Sequence, residues 1–189
     1  MANARLACMG KIEEIAAQVS GGERVKFLHF WGHRPRPDGS LGPSIFSQWW
    51  PSPFTVDGVV YATAEHWMMA RKAVLFGDAE AERAALAATS PAAAKKAGRL
   101  VRGFLEPEWA AARYDIVVAG NIHKFTQHAD LGAYLLGTGS RVLVEASPLD
   151  RIWGIGLAAD DPRAADPATW RGQNLLGFAL MDTRAALAG

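Results

Sequence analysis

A chain of 189 residues, half of them hydrophobic and seven of them tryptophan, is long enough for one domain with a substantial core and too short to expect a second. Twenty basic residues against nineteen acidic ones leave a formal charge of +1, which excludes the broad basic footprint of a duplex-binding protein and confines any nucleic-acid contact to a local patch. The lone cysteine, Cys8, excludes an internal disulfide framework and a cysteine metal cluster, and no stretch approaches the ~18 apolar residues of a membrane span. With no apolar run of signal-peptide length near the N-terminus either, the expectation is a soluble cytoplasmic protein that contacts no membrane.

In chain order, Lys11 to Val19 has the composition of a short amphipathic helix, stopped by Ser20-Gly21-Gly22, and residues 1–24 are read as an N-terminal extension to a domain spanning 25–189. Val25 to Trp31 alternates apolar and polar residues as a strand does, and Gly32 to Pro43, with three prolines and three glycines, is a loop. Phe54-Thr55-Val56 and Val59-Val60-Tyr61 flank Asp57-Gly58, a two-residue hairpin signal. Thr63 is placed to cap the helix that follows. Asp78 to Ala88 reads as a second helix, and Ser90-Pro91 opens a third with serine as cap and proline in the first turn. Glu108 to Gln127 is helical, Asp130 is expected to cap a short helix to Leu136, and Val142-Leu143-Val144-Glu145 is a short buried strand. Asp160 to Gly172 is a Pro/Asp-rich surface loop before a closing helix from Asn174 to Ala188. The pattern predicts a single α+β domain, helix-dominated with a small β-sheet.

The helix from Thr63 to Phe76 carries an acid and a base on its most apolar face. At about 100° per residue, Glu65, Met68, Met69, Lys72, Leu75 and Phe76 share one arc roughly 120° wide. Burying either ion costs several kcal/mol unless a partner is well placed, and seven residues separate the two Cα atoms by about 10.5 Å along the axis. A polar cleft beside this helix accounts for the pattern better than a sealed core. Lys72, desolvated on that face, would have a depressed pKa suited to nucleophilic or proton-transfer chemistry, with Glu65 as its acid-base partner.

A second concentration of unusual residues runs from Glu145 to Gly156. The chain leaves a buried strand through Ser147-Pro148 and presents Asp150, Trp153 and two glycines, Gly154 and Gly156, on a loop. Gly-x-Gly alone is a weak phosphate signal. Phe46-Ser47-Gln48-Trp49-Trp50 is an aromatic patch that reads either as core under a loop or as a stacking wall for a flat ring. The five histidines lack zinc-ligand spacing, and neither a Gly-x-Ser-x-Gly elbow nor a Walker loop occurs, so no metal and no cofactor are expected.

Taken together, Phe46-Ser47-Gln48-Trp49, the Asp57-Gly58 hairpin, Glu65-His66 followed by Lys72, Lys124-Phe125, Glu145, Asp150, Trp153-Gly154-x-Gly156 and Asn174-Leu175-Leu176-Gly177 resemble, in order and spacing, the NADAR domain family with its YbiA-like fold. The resemblance spans roughly Lys26 to Arg184; Ile155 stands where some relatives have Asp, and the Asp160 to Gly172 loop is longer than in shorter relatives. It implies an N-glycosidase acting on a ribose C1–N bond, either in ADP-ribosylated guanine of nucleic acid or in phosphoribosylamino-pyrimidine intermediates of riboflavin biosynthesis. The first is favoured because the Trp49-Trp50 patch, the Arg34/Arg36 loop and the Asp160 to Gly172 segment offer more aromatic and cationic surface than the smaller ligand can use. A non-catalytic ADP-ribose-binding module is the reading of another class, and no stable protein partner is expected.

Such a reaction builds positive charge at the anomeric carbon while the leaving nitrogen needs a proton, so the site requires carboxylates near the sugar and a proton donor near the base. Under that resemblance the catalytic candidates are Lys72, through a Schiff base on an opened ribose or as a proton donor, with Glu65 and Asp150. The substrate-binding candidates are Ser47, Trp49, Lys124, Trp153, Gly154, Gly156 and Asn174, the glycine amides and Asn174 facing a phosphate or the ribose hydroxyls. Arg34 and Arg36 are weaker candidates for a pyrophosphate or a strand.

Overall fold

The computed structural model describes residues 4–189, and the side chains from residue 10 onward. Helix α1 (Ala4–Ser20) begins earlier than its composition suggested and ends where Gly21 and Gly22 return their amides to Ala17 and Val19. It lies against α5 (Glu106–Gln127) and a 3-10 turn at Pro167–Thr169, burying Ile15. The hairpin is as expected: β2 (Phe54–Val56) and β3 (Val59–Tyr61) pair antiparallel across Asp57 and Gly58, both at positive φ (50° and 79°), the twist that suits a two-residue turn.

Local capping chemistry fixes the helical middle. Thr63 Oγ1 accepts from the His66 amide at the start of α2 (Ala64–Leu75), and Asp78 accepts from Ala81 at the start of α3 (Ala79–Leu86). Ser90 does the same for α4 (Pro91–Arg99), with Pro91 in its first turn. Asp130 is not a cap: α6 (Ala129–Leu136) follows α5 so closely that His128 occupies the junction, leaving Asp130 in the first turn.

The small sheet is two separate pairs. Strand β1 (Phe27–Phe30) lies parallel to β4 (Val142–Glu145), with Phe27 opposite Val142 and Phe30 opposite Glu145. Helix α7 (Leu175–Ala188) covers β4 and packs on α5, which is why Val142, Leu143 and Val144 are all buried and form an unbroken apolar run. The 160–172 segment is no open loop: it forms two 3-10 turns, Pro162–Ala165 and Pro167–Thr169, and sets Trp170 edge-on to Phe27.

Asn174 joins β4 to α7. It is fully buried in a left-handed conformation (φ 52°), its Oδ1 accepting from the Glu145 amide at 3.0 Å and its Nδ2 donating to the Leu143 carbonyl at 2.9 Å. Gly177, one turn into α7, lets the helix approach this clamp, because a Cβ there would overlap the Leu143 carbonyl and sit 2.5–2.6 Å from the Asn174 side-chain amide. Neither neighbour can move without opening the β1/β4 end. We expect Gly177→Ala to cost about 1–3 kcal/mol in urea unfolding. Gly10→Ala, in α1 with nothing within 4 Å of the new Cβ, should instead gain up to about 1 kcal/mol. Equal effects at the two positions would show that the close approach at Gly177 is not a constraint.

Candidate active site

The carboxyl ends of β1 and β4 open into a cavity of about 330 Å³. Trp31 and His33 enter it from the segment after β1, and Ser47, Gln48 and Trp49 from the turn after the 3-10 segment Pro43–Phe46. Glu65 and Met68 come from the first turns of α2, and Lys95 from the middle of α4. Glu145, at the end of β4, and Ser147, Asp150 and Trp153, from the following loop, complete the wall. Three carboxylates and one ammonium thus share an aromatic-walled space.

Two of the carboxylates are removed from water. Glu65 is 2% exposed and its Oε1 has no hydrogen-bond partner among the described residues. Burial pushes its pKa up to about 7; Lys95 and a hydrogen bond from Trp49 oppose the rise and Asp150 adds to it. Glu145 Oε2 is likewise buried without a partner, and burial, reinforced by Asp150 and Glu65 and opposed by Lys95, pushes Glu145 up to about 8. Glu65 lies lower than Glu145 and, once ionised, adds to the rise at Glu145, so Glu65 gives up its proton first. Around neutral pH the pair therefore supplies one base and one acid.

Of the residues expected at a site, Glu65, Asp150, Ser47, Trp49 and Trp153 do line the cavity. Asp150 is held by its own loop, Oδ1 accepting from the Ile152 and Trp153 amides at 2.8 Å each. Ser47 Oγ accepts from the Trp49 amide at 3.1 Å and sets the indole against the His33 ring, 5.5 Å between centroids.

The structure places the others behind the wall. Lys72 is on the same side of α2 as Glu65 but two turns further along, so its ammonium misses the cavity, donates to the Gly98 carbonyl at 2.8 Å and sits 4.0 Å from the Phe104 ring centroid. That carbonyl belongs to the last turn of α4, where a cation is favoured. Burial lowers the Lys72 pKa, as expected, but in a different compartment. Lys124 is fully buried, its pKa lowered to about 7 by desolvation, and donates to the Ile45 and Ser47 carbonyls at 2.6 and 3.1 Å. It holds the Ser47 turn from behind. Asn174 has both ends of its amide on β4 backbone and is fully buried, out of reach of a ligand. Gly156 donates its amide to the Asp150 carbonyl, while Gly154 packs so closely that a Cβ would lie 2.7 Å from the Glu145 carbonyl. These glycines shape the loop, and neither lines the cavity.

Sequence reasoning did not assign Glu145, Lys95, Trp31 and His33 to the site. Glu145 carried a signal, a lone acid ending an apolar strand before a Ser-Pro turn. Lys95 carried none, since Lys95-Lys96 on an alanine-rich helix looks like any solvated face. His66, beside Glu65, is structural: its ring bridges Thr63 Oγ1 and the Ala88 carbonyl at 2.8 and 3.1 Å.

Both glutamates titrate above the ordinary value of 4.5, so the native state keeps protons that the unfolded chain has lost. Their contribution to stability is therefore present below pH ~4.5 and lost as pH rises through about 7 and 8, an effect on the order of a few kcal/mol. Asp78 and Asp161, whose partners Arg102 and Arg163 lower their pKa values, titrate below this window. Unfolding free energies between pH 5 and 7, below the range in which the desolvated Lys124 adds an opposing rise and where the two glutamates outnumber His66, should fall with pH, and Glu65→Gln or Glu145→Gln should each flatten the fall. The same slope in both variants as in the parent would mean that these carboxyls ionise freely in water.

Three kinds of similarity coincide with this geometry. The NADAR domain model matches residues 29–188. The chain is 41% identical over 167 residues to N-glycosidase R617 of Acanthamoeba polyphaga mimivirus, covering 86% of this chain and 96% of that protein. It is 32% identical over 145 residues to N-glycosidase YbiA of Escherichia coli K12, covering 77% and 80%, and 33% identical over 159 residues to protein irg-1 of Caenorhabditis elegans, covering 76% and 75%. The NMR structure of E. coli YbiA superposes with a TM-score of 0.69 at 28% identity, over 87% of this chain and 86% of that one. With the family's span running from β1 to the last turn of α7 and so enclosing every wall of the cavity, the chain belongs to the NADAR domain family.

Proposed function

We propose that this N-glycosyl hydrolase removes ADP-ribose from guanine bases of nucleic acid, with Glu145 as general acid and Glu65 as general base. The observation that carries the chemistry is the pair of buried, unpartnered carboxyl oxygens facing one aromatic-walled cavity. As the C1–N bond breaks, its electron pair leaves with the base nitrogen, which takes the Glu145 proton. The positive charge developing at C1 is met by the Glu65 carboxylate, and water adds to C1 while Glu65 accepts its proton. Exchange with solvent returns both groups to their starting states. Burial keeps Glu145 protonated, helped by the negative charge of Asp150, which two backbone amides fix in place, and Lys95 keeps Glu65 ionisable. In this arrangement Lys95 is the amine within the cavity, and Lys72 supports the α2/α4 packing.

The choice of substrate follows from charge and shape. With Glu145 protonated, the Glu65 and Asp150 carboxylates against the one Lys95 ammonium still make the cavity a poor host for a phosphate monoester dianion, as the ribosylamino-pyrimidine alternative would require, whereas a ribose and a base can enter with the pyrophosphate outside. The aromatic surface supporting this reading is Trp31, Trp49 and Trp153; Trp50 packs on the core and the 160–172 segment on α1 and Phe27. A module that only binds ADP-ribose has no use for two desolvated acids.

Incubation with ADP-ribosyl guanosine, with a single-stranded oligonucleotide carrying the same lesion and with the ribosylamino-pyrimidine phosphate should release sugar from the first two. Cleavage of the third alone would reverse the assignment. Glu145→Gln should lower kcat by about 10²–10⁴-fold and remove the alkaline limb of the pH profile near 8. Lys95→Met should lower kcat/KM, whereas Lys72→Met should lower the unfolding midpoint and leave turnover per folded molecule near that of the parent. The reverse pattern for the two lysines would return the catalytic amine to Lys72.

A further inference from the structure

The cavity has an outer lip that its chemistry does not use. Trp31 lines the cavity yet is 61% exposed. It follows Phe30, which lies opposite Glu145 in the β1/β4 register, so its backbone is one residue beyond the catalytic layer. Gly32, at φ +75° with open space where a Cβ would be, turns the chain away immediately afterwards. The other cavity indoles are engaged: Trp49 stands against His33 with the Lys95 ammonium 5.9 Å from its ring, and Trp153 packs on the core. Trp31 stacks on no other ring among the described residues.

We infer that Trp31 is a stacking platform for the nucleobase next to the modified guanine, which makes it the residue that distinguishes a strand from a free nucleoside. The inference rests on the substrate reading given above. A cavity of about 330 Å³ holds the reacting ribose with one base and excludes the adjoining nucleotide, which must leave over the lip. The phosphodiesters are kept outside by the Glu65 and Asp150 carboxylates, and Arg34 and Arg36, exposed on the segment that follows Trp31, are cations beyond the lip. Leu149, 90% exposed beside Asp150, adds apolar surface from the second loop at the same end. An indole face accepts any base, so this subsite gives preference for a single strand without preference for sequence. Among the described residues Trp31 is the most exposed aromatic side chain, and in a near-neutral chain that can place few cations on phosphates such a stack supplies part of the hold on a strand.

The test compares KM for ADP-ribosyl guanosine with KM for the lesion in a short single-stranded DNA, in the parent, Trp31→Ala and Trp31→Phe. The ratio of strand KM to nucleoside KM should rise about tenfold in Trp31→Ala, the loss of one base–aromatic stack, and return toward the parent value in Trp31→Phe. An abasic site beside the lesion should produce the same rise in the parent and little further change in Trp31→Ala. An unchanged ratio, or losses from the abasic site and Trp31→Ala that multiply, would overturn the platform while leaving the glycosidase reading intact. If the parent cleaves neither guanine substrate, the substrate reading itself is overturned and the platform with it.

Discussion

Two carboxyl groups are kept out of water, each with one oxygen that has no partner among the described residues, and the rest of the architecture serves to stop them from escaping. Left to itself, a glutamate at a cavity wall would swing to solvent, because desolvating an ionised carboxylate costs several kcal/mol. Here both are tethered by their backbones. The Glu65 amide donates to the Gln48 carbonyl, and Glu145 donates its amide to Asn174 while its carbonyl accepts from Ile155. Swinging either side chain outward would require moving α2 from the Ser47 turn or prising β4 from α7. The cost of burial is distributed over packing that the fold makes in any case.

This explains the character of the buried polar residues. Lys124 and Asn174 are each fully buried, and each uses its polar atoms on backbone carbonyls or amides adjoining a cavity wall. A lysine desolvated far enough to lower its pKa to about 7 usually suggests catalysis. With its ammonium bound by two carbonyls, it suggests a brace. The same holds for Lys72 under the end of α4. Perturbed protonation marks four lysine and glutamate side chains among the described residues, Glu65, Lys72, Lys124 and Glu145, and only cavity access separates the reacting groups from the supports.

The local elements were legible in the sequence because their causes are local. Asp57-Gly58 needs two positive φ angles, Thr63 and Ser90 cap through their own hydroxyls, and the VLVE run is apolar because both of its faces are covered. The parallel pairing of β1 with β4 brings distant segments together, and no local pattern records it. The misplacement of Lys72 has a similar origin. Helical periodicity gives the angle of a side chain around the axis, which was right, but the cavity is bounded along the axis by where α4 and α5 cross α2, a tertiary property. Lys95 reaches the cavity from such a crossing. Asn174 and Gly156 illustrate the converse: an amide and a bare backbone suit a ligand as well as they suit the chain, and only the occupied hydrogen bonds reveal which one they meet.

The overall charge of +1 conceals a sorted arrangement. Carboxylates face inward at the cavity, where the reaction creates positive charge, and the exposed Arg34 and Arg36 lie on the segment beyond its lip. A stronger positive field inside would stabilise the ground-state phosphates and oppose the developing oxocarbenium ion, whereas interactions that strengthen only as charge develops at C1 lower the barrier. Lys95 fits this constraint because one ammonium is enough to keep Glu65 ionisable without cancelling the acidic field: Glu65, Glu145 and Asp150 still outnumber it. Near neutrality, with Glu145 protonated, Glu65 and Asp150 remain as the charges available to face the sugar. The site is therefore weakly negative before the bond breaks and becomes more so, as Glu145 gives up its proton, while positive charge develops at C1.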